Sequence, residues 1–456
     1  MSNTLNTHQG IGPMRLSGFG AGSFAAALAT MLPPMLLLYF LTEYVRLDPW
    51  LAGVVLAIPK LWDVVADMPI GRYSDQLAAK LGSRLRVAIW SGLALAILLP
   101  LTFYHPPLSS KALLAAFYVV IQILQAIAFT IFGVTNLAMA GDLAADAVER
   151  NKLLTMSALG GSIAGVALVI GVPVMVKAGG GGERGYVSMT LMVAAVMVVI
   201  YTFYFSSVRG MTRHAATDSG HSSGMSLRQG IADMLRNKAF VAVVIAVVAV
   251  GTAGGCLYAL LAYENQYLLG RPAEDLLIVM GPTLLGNVLG LPLAVPLMRR
   301  LGDRGALRVS LVVAVITFAS YWLGLVCAWT PVTVIGGALF GITNGVIVVS
   351  AMAWVLDSAK ASHGGASVGL HLGMFLSGQK LGLSLGGVIS GGLLSLIGYH
   401  AGAPATPELK QGIALAGLVG PLAPLLIACV VVYLPGGRTA TSPRTEKGTG
   451  PYANNS

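Results

Sequence analysis

Lys60-Leu61-Trp62-Asp63-Val64-Val65-Ala66-Asp67 stands inside a stretch, residues 49–71, that is otherwise apolar enough to cross a bilayer. On a helix Asp63 and Asp67 lie one above the other on one face, with Lys60 one turn below. A charge near the bilayer centre costs about 2.5–3.5 kcal/mol on insertion scales, so three along one face predict a protein-lined interior rather than contact with lipid. There the groups hold one another or a cation. A structural role, in which the acids only neutralise Lys60 and a neighbouring helix, is the competing reading. A carboxylate pair at one-turn spacing supplies four oxygens to Na⁺, or one exchangeable proton held between two like charges. The default expectation is a transport site.

The rest of the chain agrees with a membrane setting. Of its 456 residues 56% are hydrophobic and only 10% charged, against roughly 25% charged in a soluble domain. The net charge of +10 does not point to nucleic acid, because the basic residues cluster at the ends of apolar segments, as a topology signal does. Cys256, Cys327 and Cys429 lie in apolar stretches without metal-ligand spacing and read as small core hydrophobes. Met1–Arg15 leads directly into an apolar segment, and no cleavable signal peptide is expected.

Scanning for about twenty apolar residues per span gives twelve candidates: 16–42, 49–71, 85–104, 111–140, 152–177 and 186–207, then 239–268, 275–297, 305–325, 331–356, 366–398 and 412–434. The expected class is therefore an all-α membrane protein of twelve transmembrane helices in two six-helix bundles, the major facilitator layout. The expected divisions are 1–207 for the first bundle, 208–237 for a cytoplasmic linker, 238–434 for the second bundle and 435–456 for a disordered cytoplasmic tail. A short amphipathic helix is expected near 226–236. Arg72, Arg84, Arg86, Arg150, Arg209, Arg299, Arg300 and Arg304 mark one set of loops, and the opposite set is poor in Lys and Arg. The positive-inside rule then places both termini in the cytoplasm. Gly71-Arg72-Tyr73-Ser74-Asp75 after the second span is echoed by Arg299-Arg300-Leu301-Gly302-Asp303-Arg304 after the eighth.

Small residues at one-turn spacing, in Gly160–Gly165 and Gly382–Gly392, predict close helix packing. Pro33-Pro34 and Pro59 predict bends or locally opened helices. Lys380, deep in the eleventh span, is far from either loop and is positioned to meet the acids across a central cavity. Its ammonium would stand in for the cation when the site is empty. Glu264, His371 and Asn344 are further candidates for the cavity. Against this, Glu264 suits the interface equally, His371 suits a bond to a backbone carbonyl, and Asn344, like Asn287, Gln122 and Gln125, suits interhelical hydrogen bonds. Asp75 with Arg84, and Asp142 with Arg150, lie at span ends and are expected to form a conformational gate of salt bridges.

These residues resemble the glycoside–pentoside–hexuronide:cation symporter family, the melibiose-carrier-like branch of the major facilitators. Its second-span signature is met by Lys60, Trp62-Asp63, Asp67 and Gly71, its following loop by Asp75 and Leu81-Gly82-Ser83-Arg84. The loop after its fourth span resembles Asp142 through Glu149-Arg150, and its eleventh span Lys380-Leu381-Gly382 with Gly398-Tyr399. The resemblance implies that Asp63 and Asp67 bind the coupling Na⁺, Li⁺ or H⁺ and that Lys380 adjoins them. Departures are equally specific. Where galactoside carriers place an acid in the first span, an acid and a Trp in the fourth and an Arg in the fifth, this chain has Ala27, Gly133, Leu137 and Ala158. Met68-Pro69 also shifts the proline by one position. A site that grips sugar hydroxyls needs charged and aromatic partners, so cation coupling is expected to be retained and galactoside recognition lost.

The expectation is a multi-pass bacterial inner-membrane symporter without an organic cofactor, driven by Na⁺, Li⁺ or H⁺. It would act as a monomer on a small-molecule solute, with the lipid bilayer its other partner and no nucleic acid. A proton-coupled exporter of a hydrophobic or amphipathic compound is the alternative on the same fold. No metal-ligand set or nucleophile–base pair at helical spacing suggests an enzyme, and the linker of roughly thirty residues is too short for a receptor's soluble domain.

Overall fold

The structure, a computed structural model, describes residues 11–144, 146–209, 236–361 and 368–433, and within the second helix it leaves several side chains undescribed, among them Asp67 and Asp75. The expected linker helix near 226–236 falls almost wholly outside the described residues, and the expected tail lies entirely outside them. The helices are α1 (Pro13–Glu43), α2 (Pro49–Leu81), α3 (Arg84–Thr102), α4 (Lys111–Leu143), α5 (Ala147–Ala178), α6 (Gly182–Val208), α7 (Lys238–Tyr263), α8 (Leu277–Val326), α9 (Thr330–Ala361), α10 (Val368–Leu396) and α11 (Pro407–Tyr433). α7 continues into a π-turn over Glu264–Leu268. Among the described residues nine helices are long and apolar enough to cross a membrane. α2, with its charged residues, and α10, rich in Gly and Ser around Lys380, complete the set. The fifty-residue α8 holds two spans, because Gly302 at φ 71°, ψ 165° breaks it where the loop 299–304 was expected. That left-handed backbone is open to glycine at little cost.

The ends follow from local chemistry. Proline occupies the first position of α1 and α2, where no backbone donor is lost. Asp146 caps α5 by accepting the Glu149 amide, and Asn237 caps α7 by accepting from Ala239 and Phe240. Gly82, left-handed at φ 67°, closes α2.

α1 packs on α5 and α6, α4 on α2 and α3, α8 on α9, and α7 on α10 and α11. α10 also lies along α2, and α1 along α7, so these pairs join the halves. Glycine makes this approach possible. An added Cβ at Gly53 of α2 would sit 2.7 Å from the Gly387 carbonyl of α10, and one at Gly391 would meet the Pro49 carbonyl. In lipid, apolar burial gives helices no drive to associate, so such backbone contact carries the packing. Gly160 against Gly20, and Gly382 and Gly386 against α7, meet the packing expectation in the same way. The cysteine reading needs correction at one position: Cys256 is buried, but Cys327 is exposed at the end of α8, and Cys429 is half-buried.

Candidate functional site

Asp63 is 3% exposed on α2. Its Oδ2 lies 3.9 Å from Lys60 Nζ, one turn away, and 4.0 Å from Lys380 Nζ on α10. These separations are charge contacts rather than hydrogen bonds. The two lysine side chains are 32% and 27% exposed, so the carboxylate is drier than its partners.

The three side chains line a cavity of about 260 Å³ walled by α1, α2, α4, α7 and α10. Pro33, Pro34 and Pro59 are on its wall. Each proline lacks the N–H that would bond the carbonyl four residues earlier. The carbonyl released by Pro33 is that of Ala29, and it accepts the Gln125 amide at 2.9 Å. Gln125 in turn accepts from Thr102 at 3.3 Å, so this amide ties α1, α3 and α4 together. Gln122, one turn away on the same wall, differs: its Oε1 is buried without a hydrogen-bond partner. Both glutamines read in the sequence as helix ties. Gln125 is one, and Gln122 lines the cavity with a buried carbonyl oxygen that no group satisfies among the described residues; an amide in an apolar span was the only signal for it.

A second cavity of about 440 Å³ adjoins the first through Thr30 and Phe129. Ala27, Gly133 and Leu137, three of the four departures named above, lie together on its wall. Its polar groups are largely spent on one another: Asn136 donates to Ser23 at 3.2 Å and accepts from Tyr204 at 2.9 Å, and Ser23 bonds Ser157. Ala158, the fourth departure, is exposed on α5 and does not line it. A third cavity of about 230 Å³ meets the first at Leu383 and carries Asn344, Gln379 and Tyr258 among apolar residues.

The remaining predicted residues are scattered. Of the five placed in the cavity by sequence, Lys60 and Lys380 line it with Asp63, and Asn344 lines its neighbour. His371, 1% exposed, stands edge-on to Phe240 with ring centres 4.7 Å apart. Glu264, 2% exposed, lies in the π-turn against Gly417 of α11. Neither lines the described cavities. The side chain of Asp67 lies outside the described residues, as does that of Asp75 from the expected gate. Arg84 of that gate donates to both oxygens of Asp142 at 3.2 Å. Arg150 is exposed in the first turn of α5, where its backbone amide bonds the Asp146 carbonyl.

Contacts between the halves crowd at the end of the bundle away from Arg84. Thr42 bonds Tyr263 at 2.6 Å, Tyr399 donates to Glu43 at 2.8 Å, and the Gly402 amide donates to the same carboxylate. Tyr39, Tyr263, Tyr267 and Tyr399 form a chain of edge-to-face rings across the seam. One rung nearer the cavity, the Trp50 amide donates to Ser395, and Ser384 donates to the Ala57 carbonyl. Sequence reasoning missed this seal.

A charged, partly wet cavity between two helical halves, sealed at one end, is what a carrier requires, and the known sequences agree. A family described as MFS/sugar transport protein matches residues 18–434. The chain belongs to this family. It is a multi-pass membrane transporter of the major facilitator type and not an enzyme. The chain is 22% identical over 425 residues to the glucuronide carrier protein homolog of Escherichia coli strain K12, covering 91% of each. Similarity to the inner membrane symporter YicJ of the same strain is 22% over 424 residues, covering 88% of this chain and 86% of that one. A putative glycoside/cation symporter, YagG, is 26% identical over 220 residues, 47% of each chain. In fold the chain resembles a bacterial homolog of the human lysosomal transporter Spinster in an inward-facing, unoccupied conformation (TM-score 0.68, 15% identity, 92% and 96% covered). It also resembles the nucleoside transporter NupG (TM-score 0.65, 14% identity, 93% and 100% covered).

Proposed function

We propose that this transporter is a cation-coupled symporter of the inner membrane that moves a small organic solute by alternating access, with Asp63 and Asp67 holding the coupling Na⁺, Li⁺ or H⁺. The observation that carries the reading is Asp63, buried between Lys60 of its own helix and Lys380 of the opposite half. A cation or proton arriving at the carboxylate replaces the ammonium of Lys380 as its partner. This loosens the charge contact that joins α2 to α10 and links occupancy to movement of the halves. With both termini in the cytoplasm, the Glu43–Tyr399 seal faces the periplasm and the cavity opens inward. The relatives named as symporters support the coupling class.

The solute in this reading occupies the central cavity beside Lys380 and extends toward Ala27, Gly133 and Leu137. That wall favours an amphipathic molecule over a polyhydroxylated sugar, because each buried hydroxyl would lack a partner. Lys380, beside Gln122 on the cavity wall, marks where its polar end is held. In this reading the chain acts as a monomer.

The test is uptake into energised membrane vesicles together with thermal protection by Na⁺, Li⁺ and protons. Asp63→Asn and Asp67→Asn should each abolish cation-driven accumulation while the protein still reaches the membrane; concentrative uptake in both variants would overturn the assignment. Efflux driven by ΔpH without response to Na⁺ or Li⁺ would replace it with a proton-coupled exporter, which the apolar wall also suits.

A further inference from the structure

Near the Arg84–Asp142 pair, a cavity of about 440 Å³ opens between the start of α3 and the last turns of α4 and α6. Arg86, Arg209 and Asp142 line it together with Leu85, Phe205 and Val208. Asp142 is already occupied, since both its oxygens take Arg84. Arg86 donates to the Leu81 carbonyl at 3.0 Å, and Arg209 lies 5.5 Å over the Phe205 ring; among the described residues neither has an acidic partner. Ser83, the residue preceding α3, makes no side-chain bond to the amides of the first turn, so that end of the helix adds its own positive character to the cavity.

The surroundings say what kind of anion belongs here. Trp90, one turn beyond Arg86, is 66% exposed, and on α6 Val199 is 70% and Phe203 39% exposed. These outward apolar side chains belong to the lipid-facing surface of a transporter, on the same two helices whose ends carry Arg86 and Arg209. A soluble anion would need only the arginines. A cavity lined by two guanidinium groups without an acidic partner among the described residues, at the ends of helices whose outer faces are apolar, suits a ligand with a phosphate at one end and hydrocarbon at the other.

We propose that this cavity binds the headgroup of an anionic phospholipid, with the phosphodiester held by Arg86 and Arg209 and the acyl chains lying along α3 and α6. Guanidinium matches phosphate oxygens in a two-point geometry that ammonium does not reproduce, and an anionic headgroup supplies the charge that Asp142 does not. The lipid bridges the start of α3 to the end of α6 beside the Arg84–Asp142 pair.

The purified full chain is titrated with phosphatidylglycerol and with phosphatidylethanolamine of the same acyl chains, and bound lipid is read by native mass spectrometry. The wild type should retain one phosphatidylglycerol at least roughly tenfold more tightly than phosphatidylethanolamine. Arg86→Ala/Arg209→Ala should lose at least about tenfold of that affinity, and Arg86→Lys/Arg209→Lys should keep part of it. Equal retention of the two lipids by the wild type, or unchanged binding in the alanine pair, overturns the proposal. Displacement of the lipid by inorganic phosphate or glycerol phosphate at comparable concentration overturns it too, in favour of a soluble-anion site. Lipid selectivity and competition are measured on the wild type, so they decide the question even if the alanine pair fails to fold.

Discussion

Lys380 of α10 reaches across the seam between the halves to stand 4.0 Å from Asp63 of α2. The two come from opposite ends of the chain, so this contact exists only while α2 and α10 are packed together. Asp63→Asn should remove it and leave two ammonium groups facing an amide. Allowing for the partial exposure of both lysines, the loss should be about 1–2 kcal/mol. Asp63→Asn/Lys380→Met should regain much of the melting temperature without regaining transport. A double variant no more stable than the two single changes predict, in a double-mutant cycle, would show that the two residues are not energetically coupled.

The seal at the opposite end makes a separate prediction. Glu43 accepts from the Tyr399 hydroxyl and from the Gly402 amide. Glu43→Gln weakens both bonds, and hydrogen bonds to a charged group contribute about 1.5–3 kcal/mol. The sealed state should lose population. A reporter at Ala52→Cys, 0% exposed on α2, placed in a background lacking Cys256, Cys327 and Cys429, should react with a water-soluble thiol reagent several-fold faster. An unchanged rate would mean that the aromatic chain seals the end without Glu43.

Much of this architecture was legible because lipid makes composition speak. Apolar runs gave the spans, and Lys60, Asp63 and Lys380 stood out because nothing else so polar sits so far from a loop. Gly302 was legible only as a loop residue, whereas the helix continues on both sides of a single left-handed position. The seal was not legible. Thr42, Glu43, Tyr263 and Tyr399 lie at span ends, where hydroxyls, acids and tyrosines are ordinary interfacial residues, and Glu43 meets a partner 356 residues away. Nor did spacing show that Ala27, Gly133 and Leu137 converge on one wall, since they come from two helices that only the packing brings together.

Packing between α2 and α10 predicts a steric effect on the same seal. Gly391 faces Pro49 and Gly53, with 3.0 Å from an added Cβ to the Gly53 Cα. Gly391→Val should therefore cost about 1–3 kcal/mol of the closed packing and raise labelling at Ala52→Cys. Gly373→Ala on the same helix, with no atom within 4 Å of its added Cβ, should leave labelling unchanged. Equal effects from the two variants would show that close approach at Gly391 does not hold the halves together.

Glu264 tests whether every buried acid of this chain serves transport. It is 2% exposed, its Oε2 has no hydrogen-bond partner, and among the described residues it forms no ion pair. Its Oε1 packs where a Cβ on Gly417 would lie. The contact is one of shape, so Glu264→Gln should keep the fold, with stability unchanged or raised by up to about 1 kcal/mol as the capacity for an unpaired charge disappears. Gly417→Ala should destabilise by about 1–3 kcal/mol, and shortening the acid in Glu264→Ala/Gly417→Ala should recover part of that. Cation-driven uptake should survive Glu264→Gln, because the residue lines none of the cavities that adjoin Asp63. Loss of coupling with the fold intact would instead place Glu264 on the cation's route and require a second acid in the mechanism.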